Sequence, residues 1–348
     1  MRKYLISEDG KFYKANLHVH TDVSDGRVTP EEVKEAYKSH GYSVVAYTDH
    51  EVFVPHNDLS DGGFLAINSV EVAINNNFPG GFKYNKTFHI NLYAKSPDKK
   101  DCCVCTASSV FVEGSKKYIS EFAAANPYKK HYSTAAINDL IKRANDDGFL
   151  VCLNHPVWSL QNYTDYSGLK GLWGIEVYNT ASAKSGYVDT VMPFEDLLRE
   201  GESLVAVAAD DAHRINVAAF GGWTMIKSPE LSYGAIMSAL ESGDCYSSTG
   251  PEINELYIED GVIKVKTSAA VSILLTTDIR IAKSALGTAD NPISEASFDI
   301  NDYLATATSD DVKPFASWIR LEVVDSSGNH AWTRSYSLCE LIGKNPER

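Results

Sequence analysis

Eight short stretches of the chain carry His, Asp and Glu in a pattern suited to a cluster of metal ions. They are His18-Val19-His20, Ser24-Asp25-Gly26, Thr48-Asp49-His50, Val70-Glu71, Phe88-His89, Asn154-His155-Pro156, Glu176-Val177-Tyr178-Asn179 and Asp211-Ala212-His213. Six of the ten histidines fall in this set, a concentration that isolated surface or core histidines do not produce. Side chains alternate along a strand, so His18 and His20 present both imidazoles on one face. Two neutral imidazoles with a carboxylate form a common catalytic set for zinc, manganese or iron. A carboxylate bridging two ions, for which Glu71 is the candidate, would hold them roughly 3.5–4 Å apart, and water on such ions has a pKa near ~7. That is hydrolytic chemistry.

Most of these stretches follow a β-branched, apolar run that predicts a buried strand. Strands are expected at 15–21, 43–47, 64–74, 87–94, 149–153, 174–177 and 204–209, each with candidate polar residues at or near its C-terminal end. Helices separate several of them. Thr29-Pro30-Glu31-Glu32 supplies an N-cap, a proline for the first turn and an acid for a capping box, and Gly41 closes that helix. Ile137, Leu140, Ile141 and Ala144 give a second helix its apolar face. An open doubly wound sheet recruits residues from two or three strand ends at its switch point. Here all seven contribute, which favours an α/β fold closed into a distorted seven-stranded (β/α) TIM-like barrel, whose strand C-termini share one cup.

The barrel is expected to occupy residues 1–250, with an insertion at about 95–132 that caps its mouth. After Thr249-Gly250-Pro251 the pattern changes to short alternating runs split by turns such as Glu259-Asp260-Gly261. This predicts a small antiparallel β domain over 251–348, a packing module beside the barrel.

In order and context these residues resemble the PHP (polymerase and histidinol phosphatase) superfamily of metal-dependent phosphoesterases. His18-x-His20, Ser24-Asp25-Gly26, Thr48-Asp49-His50, Glu71, His89, His155-Pro156 and Asp211-Ala212-His213 carry the resemblance, with Tyr246-x-Ser248-Thr249-Gly250-Pro251 at its end. It spans about residues 15–250 and implies a barrel of the PHP type with two or three divalent ions, Mn, Fe or Zn. By the resemblance, one ion takes His18, His20, Glu71 and Asp211. A second shares Glu71 and adds His89 and His155, and a third takes Asp25, His50 and His213. Catalysis would centre on His213, Asp211 and Glu71. Asp49 is expected to orient a ligand. Glu176 and Asn179 either touch substrate or close the barrel, and Arg214 is a candidate phosphate contact. The sequence departs from the pattern at Asp210, at Asn154 and in the insertion.

The implied activity is hydrolysis of a small organic phosphate, a nucleotide or sugar phosphate monoester, by metal-activated hydroxide. Alternatives are a phosphodiesterase acting on a cyclic nucleotide or an oligonucleotide 3′ end, and a metal-dependent binding module without turnover. A balance of 32 basic to 46 acidic residues, net −14, argues against duplex nucleic acid as a partner. Neither a secretory leader within residues 1–13 nor a membrane span is expected, which favours a cytoplasmic protein. Cys102-Cys103-Val104-Cys105 and the isolated Cys152, Cys245 and Cys339 suggest reduced thiols rather than a zinc knuckle. His40, His56 and His131 are expected at the surface, and Lys129-Lys130 on a solvated face. Oligomeric state is not legible.

Overall fold

The computed structural model describes residues 2–307 and 318–341. The chain opens with β1 (Arg2–Tyr4), β2 (Lys11–Val19), α1 (Pro30–Ser39), β3 (Val44–Tyr47), β4 (Leu65–Asn75) and β5 (Thr87–Ala94). Next come α2 (Glu121–Ala125), α3 (Thr134–Asp146), β6 (Phe149–Leu153), α4 (Tyr163–Tyr166), β7 (Gly174–Asn179), α5 (Thr180–Lys184) and α6 (Met192–Arg199). Then follow β8 (Val205–Ala209), α7 (Ile215–Ala218), β9 (Trp223–Ser228), α8 (Tyr233–Ser242) and β10 (Cys245–Ser248). The remaining strands are β11 (Ile253–Glu259), β12 (Val262–Ala270), β13 (Ser272–Thr277), β14 (Lys283–Leu286), β15 (Ile293–Asp299), β16 (Trp318–Val324), β17 (His330–Thr333) and β18 (Tyr336–Ser337).

Local sequence explains these elements. Thr29 accepts from the backbone N–H of Glu32, whose carboxylate accepts from the Thr29 N–H at 2.8 Å, so both ends of the capping box are made. Gly41 follows α1 at φ +78°, the left-handed conformation that glycine takes without a Cβ clash. Every residue of β3, β5, β6 and β8 is buried, as expected of strands covered on both faces. In β6, Leu150 and Cys152 join an inner apolar cluster with Leu17, Ile67 and Val207. Their neighbours Val151 and Leu153 pack outward, with Ile137, Leu140 and Ile141 of α3 and Leu197 of α6 in the same cluster. Period-two alternation thus sorts one strand between an inner core and an outer helical layer.

β2, β3 and β4 run parallel, as do β6, β7 and β8. β2 and β8 meet where Val19 bridges Ala212, with Asp211 N–H donating to His18 O at 2.8 Å, so the run from β2 to β8 returns on itself. The exception is β5, which is antiparallel to both β4 and β6. The expectation of seven strands all ending at the cup is corrected here. A parallel connection needs a crossover of a dozen or more residues, usually helical. Residues 76–86 hold only the short turn Phe82–Tyr84, so the chain doubles back as a hairpin. His89 therefore reaches the cup from the start of its strand.

Strand pairing continues past residue 250. β9 pairs with β2 and β10, β10 with β17, and the sheet extends through β16 and β13 to β14. A second sheet, in the order β1-β11-β12-β15, joins the chain's first strand to its C-terminal part. Leu256, Ile263 and Val265 of that sheet share an apolar cluster with Ile273, Leu321 and Val323 of the first. The Cys339 side chain and residues 342–348 lie outside the described residues. Among those described, no helix is long and apolar enough to cross a membrane.

Asp210 fastens the segment after β8. Its buried carboxylate accepts from Tyr37 Oη (2.9 Å), Thr180 Oγ1 (2.6 Å) and the backbone N–H groups of Phe220 (2.8 Å), Gly221 (3.0 Å) and Gly222 (3.2 Å). An amide offers one acceptor oxygen, so Asp210→Asn leaves buried donors unmatched at about 1–3 kcal/mol each. A drop of several degrees in melting temperature is expected, and an unchanged value would contradict this anchoring role.

Candidate metal centre

The nine expected metal residues converge at one end of the closed run. His18 and His20 come from the end of β2, Asp25 from the loop beyond it, and His50 from just past β3. Glu71 and His89 stand on β4 and β5, His155 follows β6, and Asp211 and His213 follow β8. Glu71 is central. Five imidazoles approach its carboxylate: His50 and His89 at 3.1 Å, His18 and His20 at 3.3 Å and His155 at 3.4 Å. Asp211 Oδ1 lies 3.0 Å from His20 Nε2 and 3.3 Å from His18 Nε2. Asp25 Oδ2 lies 3.3 Å from His213 Nε2 and 3.9 Å from His50 Nε2. The His213 ring stacks on His20 at 4.1 Å.

Four groups of ligand atoms lie within 4.8 Å of one another: His20/Asp25/His50/His213, His18/His20/Asp211, His50/Glu71/His89 and His18/His155/Glu176. The first contains the trio implied for a third ion. The second contains three of the four residues implied for the first ion. The other groups set His50 beside Glu71 and His89, and Glu176 beside His155, partners the resemblance did not supply.

The cluster has the polarity a cation would satisfy. His20 Nδ1, His50 Nδ1, Glu71 Oε2, His155 Nε2 and Asp211 Oδ1 are buried and make no hydrogen bond. Each such atom costs about 1–3 kcal/mol unless something meets it. Burial pushes the Glu71 carboxyl up, but neighbouring histidines, His89 and His18 foremost, outweigh it and hold it well below the usual carboxylate range. Burial takes His50 down to about 3, whereas at His18, His20 and His155 the carboxylates of Glu71 and Asp211 outweigh burial and raise the imidazoles, His20 to about 10, so the cup draws positive charge.

A surrounding layer orients these groups. Glu176 accepts from His18 Nδ1 at 2.8 Å, which leaves His18 Nε2 to face the cup, and from the His155 backbone N–H at 3.0 Å. Asn154 donates to Glu71 Oε1 at 2.8 Å, and Asn179 to Glu176 and Asp211. Asp49 accepts from Thr21 and Ser24, through backbone and hydroxyl of each, and so clamps the loop that carries Asp25. Glu51, His155 and Asp211 all have left-handed backbone (φ +64°, +26° and +53°), a strain that non-glycine residues bear where surrounding structure over-determines them.

The cup opens into a pocket of about 700 Å³, lined beyond the cluster by Asn75, Asn77, Asn85, Phe111, Lys130 and Trp158 among others. Glu176 and Asn179 lie behind the histidines instead of on this wall. Arg214 is exposed and lines a separate depression with Arg27 and Phe220. Two surface expectations need correction. His56 is buried against the Tyr47 ring at 4.8 Å because the chain after His50 folds back over β3. Lys130 is not solvated: the insertion turns it inward to pair with Glu51, with side chains 8% and 2% exposed. His40, His131 and Lys129 are exposed as expected. The asparagines and Phe111 carried no signal in sequence beyond turn composition and insertion.

No protein-family model matches the sequence, and no curated protein matches it. Solved structures do. A two-domain protein from Bacteroides vulgatus, containing a predicted PHP-like metal-dependent phosphoesterase, aligns over 97% of this chain and 99% of its own at 16% identity and TM-score 0.43. A candidate metal-dependent phosphoesterase from Bifidobacterium adolescentis aligns over 60% of this chain and 89% of its own, at 14% identity and TM-score 0.37. An amidohydrolase from Chromobacterium violaceum, with bound sulfate and no metal, aligns over 57% and 87%, at 16% identity and TM-score 0.34. Likenesses this distant leave function to be argued from the site.

Proposed function

We propose that the chain is a metal-dependent phosphoesterase, built on a distorted seven-stranded (β/α) TIM-like barrel of the PHP type. Its substrate is a small organic phosphate, a nucleotide or sugar phosphate monoester. The observation that carries the reading is Glu71: one buried carboxylate facing five imidazoles, with atoms of His20, His50, His155 and Asp211 around it that make no hydrogen bond. His18, His20, Glu71 and Asp211 would hold one divalent ion, His89 and His155 with Glu71 a second, and Asp25, His50 and His213 a third. Mn, Fe or Zn suits such a donor set. When bound, such ions supply Lewis-acid stabilisation of phosphoryl oxygens and a water acidified to near neutral pH.

The remaining work falls to the chain's own groups. Glu176 keeps the His18 lone pair on the cup side, and Asn154 fixes the rotation of the Glu71 carboxylate. The pocket has the volume of a small-molecule site, with asparagine amides to meet hydroxyl groups and Phe111 and Trp158 as apolar walls. Lys130, on the same wall, is committed to Glu51. A small polar leaving group fits this lining better than a polymer. Free cysteines among the described residues fit a reducing compartment such as the cytoplasm.

A phosphodiester reading has one observation in its favour. Arg27 and Arg214 share a depression beside Asp25 and His213, their near neighbours in sequence, where a second phosphate could lie. Purified protein with manganese, given p-nitrophenyl phosphate and its bis ester, separates the two. Faster release from the monoester is expected. Faster release from the bis ester would replace the monoester assignment, and bound metal with no release from either would overturn the enzyme reading.

A further inference from the structure

The insertion between β5 and α3 holds the tightest run of cysteines in the chain, and the metal centre uses none of them. Cys102 and Cys105 stand at C-x-x-C spacing, 2% and 3% exposed. A tight turn joins them, with Cys105 N–H donating to Cys102 O at 3.2 Å, and both side chains line one small cavity. Cys103 faces away. Its N–H donates to Asp147 Oδ2 at 3.0 Å, its Sγ lies 3.5 Å from Arg143 O, and Lys99 pairs with the same aspartate. The turn is therefore pinned with Cys102 and Cys105 on one small cavity and Cys103 held elsewhere.

The pair adjoins the wall of the cup. Glu51 lines the same small cavity as both cysteines and forms a buried ion pair with Lys130. Glu51 follows His50 in sequence. Its carboxylate accepts from Ala73 N–H at 2.8 Å, and its N–H donates to Glu71 O at 2.9 Å. A short path thus runs from the cavity at the two cysteines through Glu51 to the backbone of Glu71 and the position after His50.

The two thiols are unequal. Burial pushes Cys102 up, but the Cys105 thiol, the N–H groups of Val104 and Cys105, and Lys130 outweigh it and hold Cys102 below the usual range. The Cys102 contact and burial push Cys105 well up. Cys102 is thus the more readily ionised of the two, the order that favours it as the attacking sulfur. A cavity of about 10 Å³ bounded by both cysteines, Thr106, Val110 and Tyr118 gives room for roughly one water-sized molecule.

We propose that Cys102 and Cys105 form a reversible disulfide site, oxidised by peroxide, whose state sets how Lys130 and Glu51 support the cup. Cys102 thiolate attacks one peroxide oxygen and breaks the O–O bond, giving a sulfenic acid and a hydroxide that leaves as water with the Cys102 proton. Cys105 sulfur then attacks Cys102 sulfur, forms the S–S bond and displaces a second water that carries the Cys105 proton. Two thiols lose two electrons and one peroxide becomes two waters. The bond draws the sulfurs to about 2.05 Å beside Glu51, which lines the same cavity and pairs with Lys130. The effect on turnover rests on the phosphoesterase reading, whereas the disulfide itself does not.

The test is titration of the whole protein with hydrogen peroxide, then alkylation under denaturing conditions and peptide mapping. In wild type and Cys103→Ser, Cys102 and Cys105 are expected to escape alkylation and remain linked after peroxide, and to take up the alkyl group again after dithiothreitol. Cys102→Ser and Cys105→Ser should show no such link. Turnover of p-nitrophenyl phosphate with manganese should fall severalfold on oxidation and recover on reduction, only where the bond forms. Full alkylation of all three cysteines after peroxide, or a bond that survives Cys105→Ser, overturns the disulfide site. A bond that forms with turnover unchanged overturns its control of the cup. Protein that forms the bond but never turns over substrate overturns the phosphoesterase reading and leaves the disulfide standing.

Discussion

Glu71→Gln is expected to empty two ion positions at once and lower phosphomonoester turnover by about a hundredfold or more, the scale on which one preorganised charge-stabilising group acts. The effect follows from geometry. The carboxylate faces five imidazoles within 3.1–3.4 Å, and it is wholly buried, so no solvent replaces its charge. The isosteric amide keeps the hydrogen bond from Asn154 if its oxygen takes the Oε1 position. It then turns its NH₂ toward His20 and His50, which face Glu71 Oε2, and a donor there repels a cation. Metal content by mass spectrometry and turnover should fall together, with the far-ultraviolet circular dichroism unchanged. A variant that keeps wild-type metal and activity would remove Glu71 from the centre of the site.

His213→Ala should separate catalysis from folding. His213 is 37% exposed on the segment after β8, stacked on His20 and paired with an equally exposed Asp25, and it belongs to none of the apolar clusters. Removing it creates little cavity in the packed interior. If Asp25, His50 and His213 hold an ion at the mouth of the cup, its loss should reduce turnover by about a hundredfold or more, as for other positioned catalytic groups. The melting temperature in chelator should stay within a degree or two of wild type. Near-normal turnover would mean that this trio is not used and that chemistry rests on the groups around Glu71.

The residues that meet at Glu71 were legible because their types are uncommon together and because a β-branched run precedes most of them. SVVAY before Thr48-Asp49-His50 announces a buried strand feeding a polar end, and the structure places His50 just past β3. Strand direction was not legible. The run around His89 has the same apolar composition whether it runs up or down, and only the short 76–86 connection decides for a hairpin. Lys130 shows another limit. A Lys-Lys pair in a polar segment has the composition of a solvated face, and its inward turn depends on Glu51, seventy-nine positions earlier. His56 was hidden for a related reason, since its cover is supplied by segments remote in sequence. Asp210 and Asp211 are adjacent and chemically identical. One is an anchor for five donors and the other faces His18 and His20, a division that backbone geometry makes and composition cannot.

The central claim is that this cluster is a polynuclear metal site. Its most direct test is elemental analysis, with native mass spectrometry, of protein purified without chelator and supplied with manganese. At least two ions per chain are predicted, because Glu71 and Asp211 with six imidazoles offer more donors than one ion can take. One ion or fewer per folded chain would contradict the account.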